Sequence, residues 1–147
     1  MTPDEETLLR RAIELAAEAR AAGDPPFGSL LADADGRVLA EERNTTVTGR
    51  DISAHPELKL AVWAARELDP ATAAATTMYT SCQPCGMCTG AIQRSGLGRV
   101  VYALSERQLG ELKPGGAGWP DVPLEGPALH DEARVAVEGY YRSASRP

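Results

Sequence analysis

The stretch Tyr79-Thr80-Ser81-Cys82-Gln83-Pro84-Cys85-Gly86-Met87-Cys88 decides how this chain is read. Two thiols two residues apart, preceded by proline and followed by the apolar Gly90-Ala91-Ile92, predict a strand that ends in a turn and opens a helix. Both sulfurs then lie at a helix N-terminus, where unpaired N–H groups favour negative charge and ease ionisation of a thiol. Upstream, His55-Pro56-Glu57 opens a second helical pattern, in which Leu58, Ala61, Val62, Ala65 and Leu68 share one face. His55, Cys85 and Cys88 make three ligands for a tetrahedral zinc ion and leave the fourth position to water. Glu57 lies beside them without being needed as a ligand, where a base acting on that water belongs. A C-x-x-C pair alone fits a structural zinc knuckle or a redox pair equally well. A purely structural site has no need of the carboxylate.

Composition bounds the rest. With 147 residues, 43% of them hydrophobic, the chain suits one domain, 1–147, with a single core. It opens on Thr2-Pro3-Asp4-Glu5-Glu6 rather than a basic segment followed by an apolar run, and no stretch approaches about eighteen apolar residues. A soluble, cytoplasmic protein without a membrane partner is the expectation. Three cysteines are an odd set, which argues against a secreted disulfide scaffold, and Cys82 reads as a buried structural thiol. The net charge of −6, with Lys59 and Lys113 the only lysines and no basic run, argues against a nucleic-acid backbone and for a small-molecule substrate.

In chain order, a T-x-x-E cap at Thr2 and Glu5 begins a helix over 3–22, stopped by Gly23-Asp24-Pro25-Pro26. Strands over 27–32 and 37–43 flank a turn at 33–36 and predict a hairpin, with Asn44 at its far end and a polar loop over 45–53. The helix carrying His55 and Glu57 stops at Asp69-Pro70. A strand over 76–80, a helix over 85–95 and a β-branched strand over 99–104 follow. Beyond them lie a short helix over 105–111, a loop over 113–120 whose Trp119 is placed to cover a pocket, a brief fifth strand over 121–124 and an amphipathic helix over 128–142. The tail after that helix is expected to fray, and His130 is read as a surface residue. Alternating strands and helices argue for a layered α/β domain with its site at strand ends and helix starts.

With these residues placed, the chain resembles the cytidine and deoxycytidylate deaminase superfamily, in the branch of guanine and tRNA adenosine deaminases. The likeness rests on Pro26-Phe27-Gly28, Asn44, His55-x-Glu57, the Tyr79–Cys88 stretch and Gly98-Arg99-Val100-Val101-Tyr102. It also takes in Leu124-Glu125-Gly126 and the run from Asp131 to Arg142. It implies a three-layer α/β/α sandwich around a five-stranded mixed sheet, and a homodimer. It further implies one zinc per subunit on His55, Cys85 and Cys88, Glu57 as the catalytic proton carrier, and Asn44, Phe27 and Pro56 around the substrate. The implied reaction replaces the amino group of a nucleobase, nucleoside or related nitrogen heterocycle by a carbonyl and releases ammonia. A tRNA adenosine deaminase, and a domain in which zinc only holds the fold, are the other readings. Two positions depart from the pattern. Pro56 stands where the family has alanine and offers no N–H, so a substrate carbonyl left unpaired there costs roughly 1 to 3 kcal/mol. Gln93-Arg94-Ser95 replaces the aromatic residues of guanine deaminases and leans toward the tRNA enzymes.

Overall fold

A computed structural model describes residues 1–116 and 118–143, in two units, Met1–Ala117 and Gly118–Pro147. In the first, α1 (Pro3–Ala21) starts with the expected capping box: the Glu5 N–H donates to Thr2 Oγ1 at 3.2 Å and the Thr2 N–H to Glu5 Oε2 at 2.8 Å. The hairpin β1 (Gly28–Ala32) and β2 (Val38–Arg43) follows. Then come α2 (Pro56–Glu67), α3 (Pro70–Ala74), β3 (Thr77–Cys82), α4 (Gly86–Ser95), β4 (Arg99–Leu104) and α5 (Glu106–Leu112). The sheet order is β2-β1-β3-β4, with β1 antiparallel to both neighbours and β3 parallel to β4. The fold is α/β around a mixed sheet.

All five residues of β1 are buried. Successive side chains leave a strand on opposite faces, so such a run needs cover on both. Leu31 meets Leu60 and Ala64 of α2 together with Met78, and Ile92 of α4 packs against that cluster. Leu30, Ala32 and Tyr79 meet Leu8 and Leu9 of α1. Close approach of α1 depends on Gly28, because a Cβ there would stand 2.5 Å from Ala16 N and 2.6 Å from Ala12 O. Those are backbone atoms of a packed helix and cannot swing aside.

Two expectations need correction. The sheet has four strands among the described residues, not five. Residues 121–124 form no strand, because Pro123 inside the run and Pro120 before it lack the N–H that a ladder requires. The single helix over 128–142 is two, α6 (His130–Val137) and α7 (Tyr140–Ser143), which form the regular structure of the second unit. Between them Gly139 adopts φ 85°, a left-handed conformation that ends a helix. The alanine-rich tract 71–75 lies in the short α3 and its C-cap, where Asp69 accepts from the Thr72 N–H at 2.9 Å and caps the helix. The expected fraying tail, 144–147, lies outside the described residues. No helix among the described residues is long and apolar enough to cross a membrane.

Gly28→Ala is expected to lower unfolding free energy by roughly 1–3 kcal/mol through overpacking against α1, read as a fall in urea midpoint at unchanged slope. An unchanged midpoint would contradict the placement of α1 on β1.

Candidate metal and catalytic centre

The N-termini of α2 and α4 meet, and the two helices pack against each other. Their N-cap residues are His55 and Cys85, both with extended backbone and neither making a side-chain cap hydrogen bond. A side chain at this position ordinarily accepts from the first-turn N–H groups. Here both are free to point elsewhere, and they point at each other. His55 Nδ1 lies 3.6 Å from Cys85 Sγ and 3.4 Å from Cys88 Sγ. All three donor atoms fall within 4.8 Å of one another. For a tetrahedral zinc with bonds of about 2.3 Å to sulfur and 2.0–2.1 Å to nitrogen, the S···N edges are about 3.5–3.6 Å. The donor set therefore fits that ion in kind and in spacing. Cys82 stands outside the cluster, buried at the end of β3.

Electrostatics agree. Burial pushes the Cys88 thiol up, and the Glu57 carboxylate and Cys85 push it further in the same direction, opposed by the Leu58 N–H. Two sulfurs and a carboxylate crowded together without a cation are a costly arrangement, and a divalent ion removes the cost by holding the sulfurs as thiolates. Burial lowers the His55 pKa, which favours the neutral imidazole, the form that binds metal.

Glu57 is 6% exposed, on the first turn of α2. Burial raises its pKa, against the lowering effect of its own N–H, Cys88 and Ser29. Ser29 Oγ lies 3.5 Å from Glu57 Oε1 and 2.7 Å from Thr80 Oγ1. Neither hydroxyl stood out in the sequence, since Ser29 lies inside an apolar run. Only the register, which sets Ser29 opposite Thr80, brings them under Glu57. Among the other expected residues, Pro56 is fully buried at the start of α2, and Phe27 is half-buried. The Asn44 N–H donates to the Phe27 carbonyl at 3.0 Å, and the next N–H, of Thr45, donates to the Ala54 carbonyl beside His55 at 3.1 Å. Gln83 serves the fold: its Oε1 accepts from the Glu106 N–H at the start of α5.

This is the architecture of a zinc-dependent hydrolytic deaminase, in which three protein donors leave a coordination position open and a buried carboxylate stands by. Residues 2–104 match the family model described as the cytidine and deoxycytidylate deaminase zinc-binding region. The chain belongs to that family, whose zinc-containing enzymes are hydrolases acting on C–N bonds in cyclic amidines. The Schizosaccharomyces pombe protein named "Probable cytosine deaminase" is 32% identical over 90% of both chains. A tRNA-specific adenosine deaminase of Haemophilus influenzae is 32% identical over 74% of this chain, and the match spans 62% of that protein. The crystal structure of guanine deaminase from Bacillus subtilis superposes with a TM-score of 0.74 at 29% identity, covering 100% of this chain and 98% of that one.

Purified protein is expected to carry one zinc per chain by elemental analysis. Cys85→Ser should reduce that content several-fold, while Cys82→Ala should retain it. Zinc loss in the Cys82 variant alone would contradict the assignment of ligands.

Proposed function

We propose that residues 1–147 act as one deaminase domain, a three-layer α/β/α sandwich, that hydrolyses the amino group of a small nucleobase, nucleoside or related nitrogen heterocycle. The observation that carries this reading is the separation of roles at the centre. His55, Cys85 and Cys88 converge as a three-donor set, while Glu57 lies against Cys88 yet outside that set. A structural zinc site closes its shell with four protein donors and needs no buried acid.

When bound to His55, Cys85 and Cys88, zinc would supply a Lewis acid that makes water a nucleophile near neutral pH. The rest of the chemistry falls to Glu57. Its raised pKa suits a group that must both accept and return a proton. An Oε atom takes the proton of the attacking water, then delivers it to the ring nitrogen next to the reacting carbon. The carboxylate then takes the second proton, from the hydroxyl newly added to the ring carbon, and passes it to the amine as the C–N bond breaks, so water and the amino compound become a carbonyl product and ammonia. Ser29, held by Thr80, keeps the carboxylate from turning away between these transfers.

Phe27 and Pro56 wall the substrate, and Asn44 hydrogen-bonds it. Pro56 has no N–H to donate. The helix start therefore lacks the donor that this position would offer a substrate carbonyl, which favours a heterocycle without an acceptor at that point. A tRNA adenosine substrate is the second reading, favoured by the Haemophilus influenzae relative and opposed by the net charge of −6. As in the resemblance, the active form is read as a homodimer.

An ammonia-release screen of the zinc-loaded protein over free bases, nucleosides, triazine-type analogues and tRNA tests the reading. Turnover of at least one small heterocycle is expected. Glu57→Gln should keep the zinc and lower turnover by about 100- to 10,000-fold. A fully active, zinc-loaded Glu57→Gln protein would exclude the assigned role.

A further inference from the structure

Asn44 is 2% exposed, and its side-chain oxygen is fully engaged. Oδ1 accepts from the Thr46 backbone N–H at 2.9 Å and from the Thr46 hydroxyl at 2.9 Å. A backbone N–H can only donate, so the atom facing it must be the oxygen, and the orientation of the amide follows. Nδ2 then remains. Among the described residues it donates to no protein acceptor, yet no buried side-chain nitrogen or oxygen lacks a partner. Nδ2 is therefore neither paired nor sealed, and it opens onto accessible space.

Resting on the reading that Asn44 touches the substrate, we propose that Thr46 is a positioning residue that locks the Asn44 amide as a donor. The site then selects heterocycles that present a lone pair at that point, a ring nitrogen or carbonyl oxygen, and rejects those that present an N–H. The lock is stiff because the loop is pinned on both sides. The Thr45 N–H donates to the Ala54 carbonyl, and Lys59 Nζ donates to Thr45 Oγ1 at 3.1 Å. The buried Asp24 carboxylate accepts from the Val47 N–H at 3.0 Å, the Thr48 N–H at 2.9 Å and the Thr48 hydroxyl at 2.7 Å. With the Thr46 hydroxyl removed, a single donor remains to oppose rotation of the amide. A rotated amide would meet the same lone pair with its oxygen, which repels it.

A double-mutant cycle on zinc-loaded protein tests this, with cytosine, guanine and adenosine as probes. Thr46→Val should raise KM by about 3- to 10-fold with kcat within about twofold, the scale of one hydrogen bond, and Thr46→Ser should restore the parent value. In an Asn44→Ala background the Thr46→Val effect should vanish. An effect of the same size in that background, or a serine variant as impaired as the valine one, would overturn the proposal, because loop packing alone gives either result. The lock is also read without turnover, as a through-hydrogen-bond NMR coupling between the Thr46 amide nitrogen and the Asn44 Cγ. Absence of that coupling overturns the lock. Its presence in a protein that turns over none of the small heterocycles of the ammonia-release screen leaves the lock standing and refutes the small-heterocycle reading instead.

Discussion

Everything near the centre depends on two helix starts meeting head to head. The first turn of an α-helix carries unpaired N–H groups and a partial positive charge. In α2 and α4 these ends lie together, and the residues that would normally cap them, His55 and Cys85, do not. Their side chains are released from local duty and converge with Cys88. The fold places Glu57 in the first turn of α2, buried against Cys88, and burial together with that carboxylate pushes the Cys88 thiol up, a cost that a bound cation would remove. The three donors and the carboxylate are thus brought together by the first turns of two helices.

The sheet exists, in functional terms, to hold that meeting in place. Leu31 anchors α2 and the underside of α4, while Leu30 on the opposite face anchors α1 through Leu8 and Leu9. Because β1 is covered on both faces, it sets the height of both helix starts above the sheet. It also contributes Ser29 directly beneath Glu57. One strand therefore fixes the scaffold and steadies the buried Glu57 carboxylate. The end of β2 adds the buried Asn44, whose neighbour Thr45 ties that strand end to Ala54, next to His55.

Much of this was legible in the residues. The convergence of His55, Cys85 and Cys88, the place of Glu57 at the start of α2, the hairpin and the order of strands and helices through Leu104 apart from the short α3 follow from local signals such as caps, periodicity and thiol spacing. What failed was set by backbone chemistry of single residues. Gly139 breaks a pattern that is amphipathic on both sides, and Pro123 removes a donor from a segment otherwise suited to a strand. What was missed altogether was non-local. Ser29 means nothing until β3 brings Thr80 opposite it, and Thr46 reads as a loop threonine until its two donors are seen on a buried amide. Side chains that tune a site rather than perform its chemistry carry no periodic signal.

The most direct test of the central arrangement is zinc X-ray absorption on the purified protein. The account predicts a four-coordinate ion with two sulfurs at about 2.3 Å, one imidazole nitrogen at about 2.0–2.1 Å and one further light atom from water. A shell filled entirely by protein donors, or one with three or more sulfurs, would contradict it.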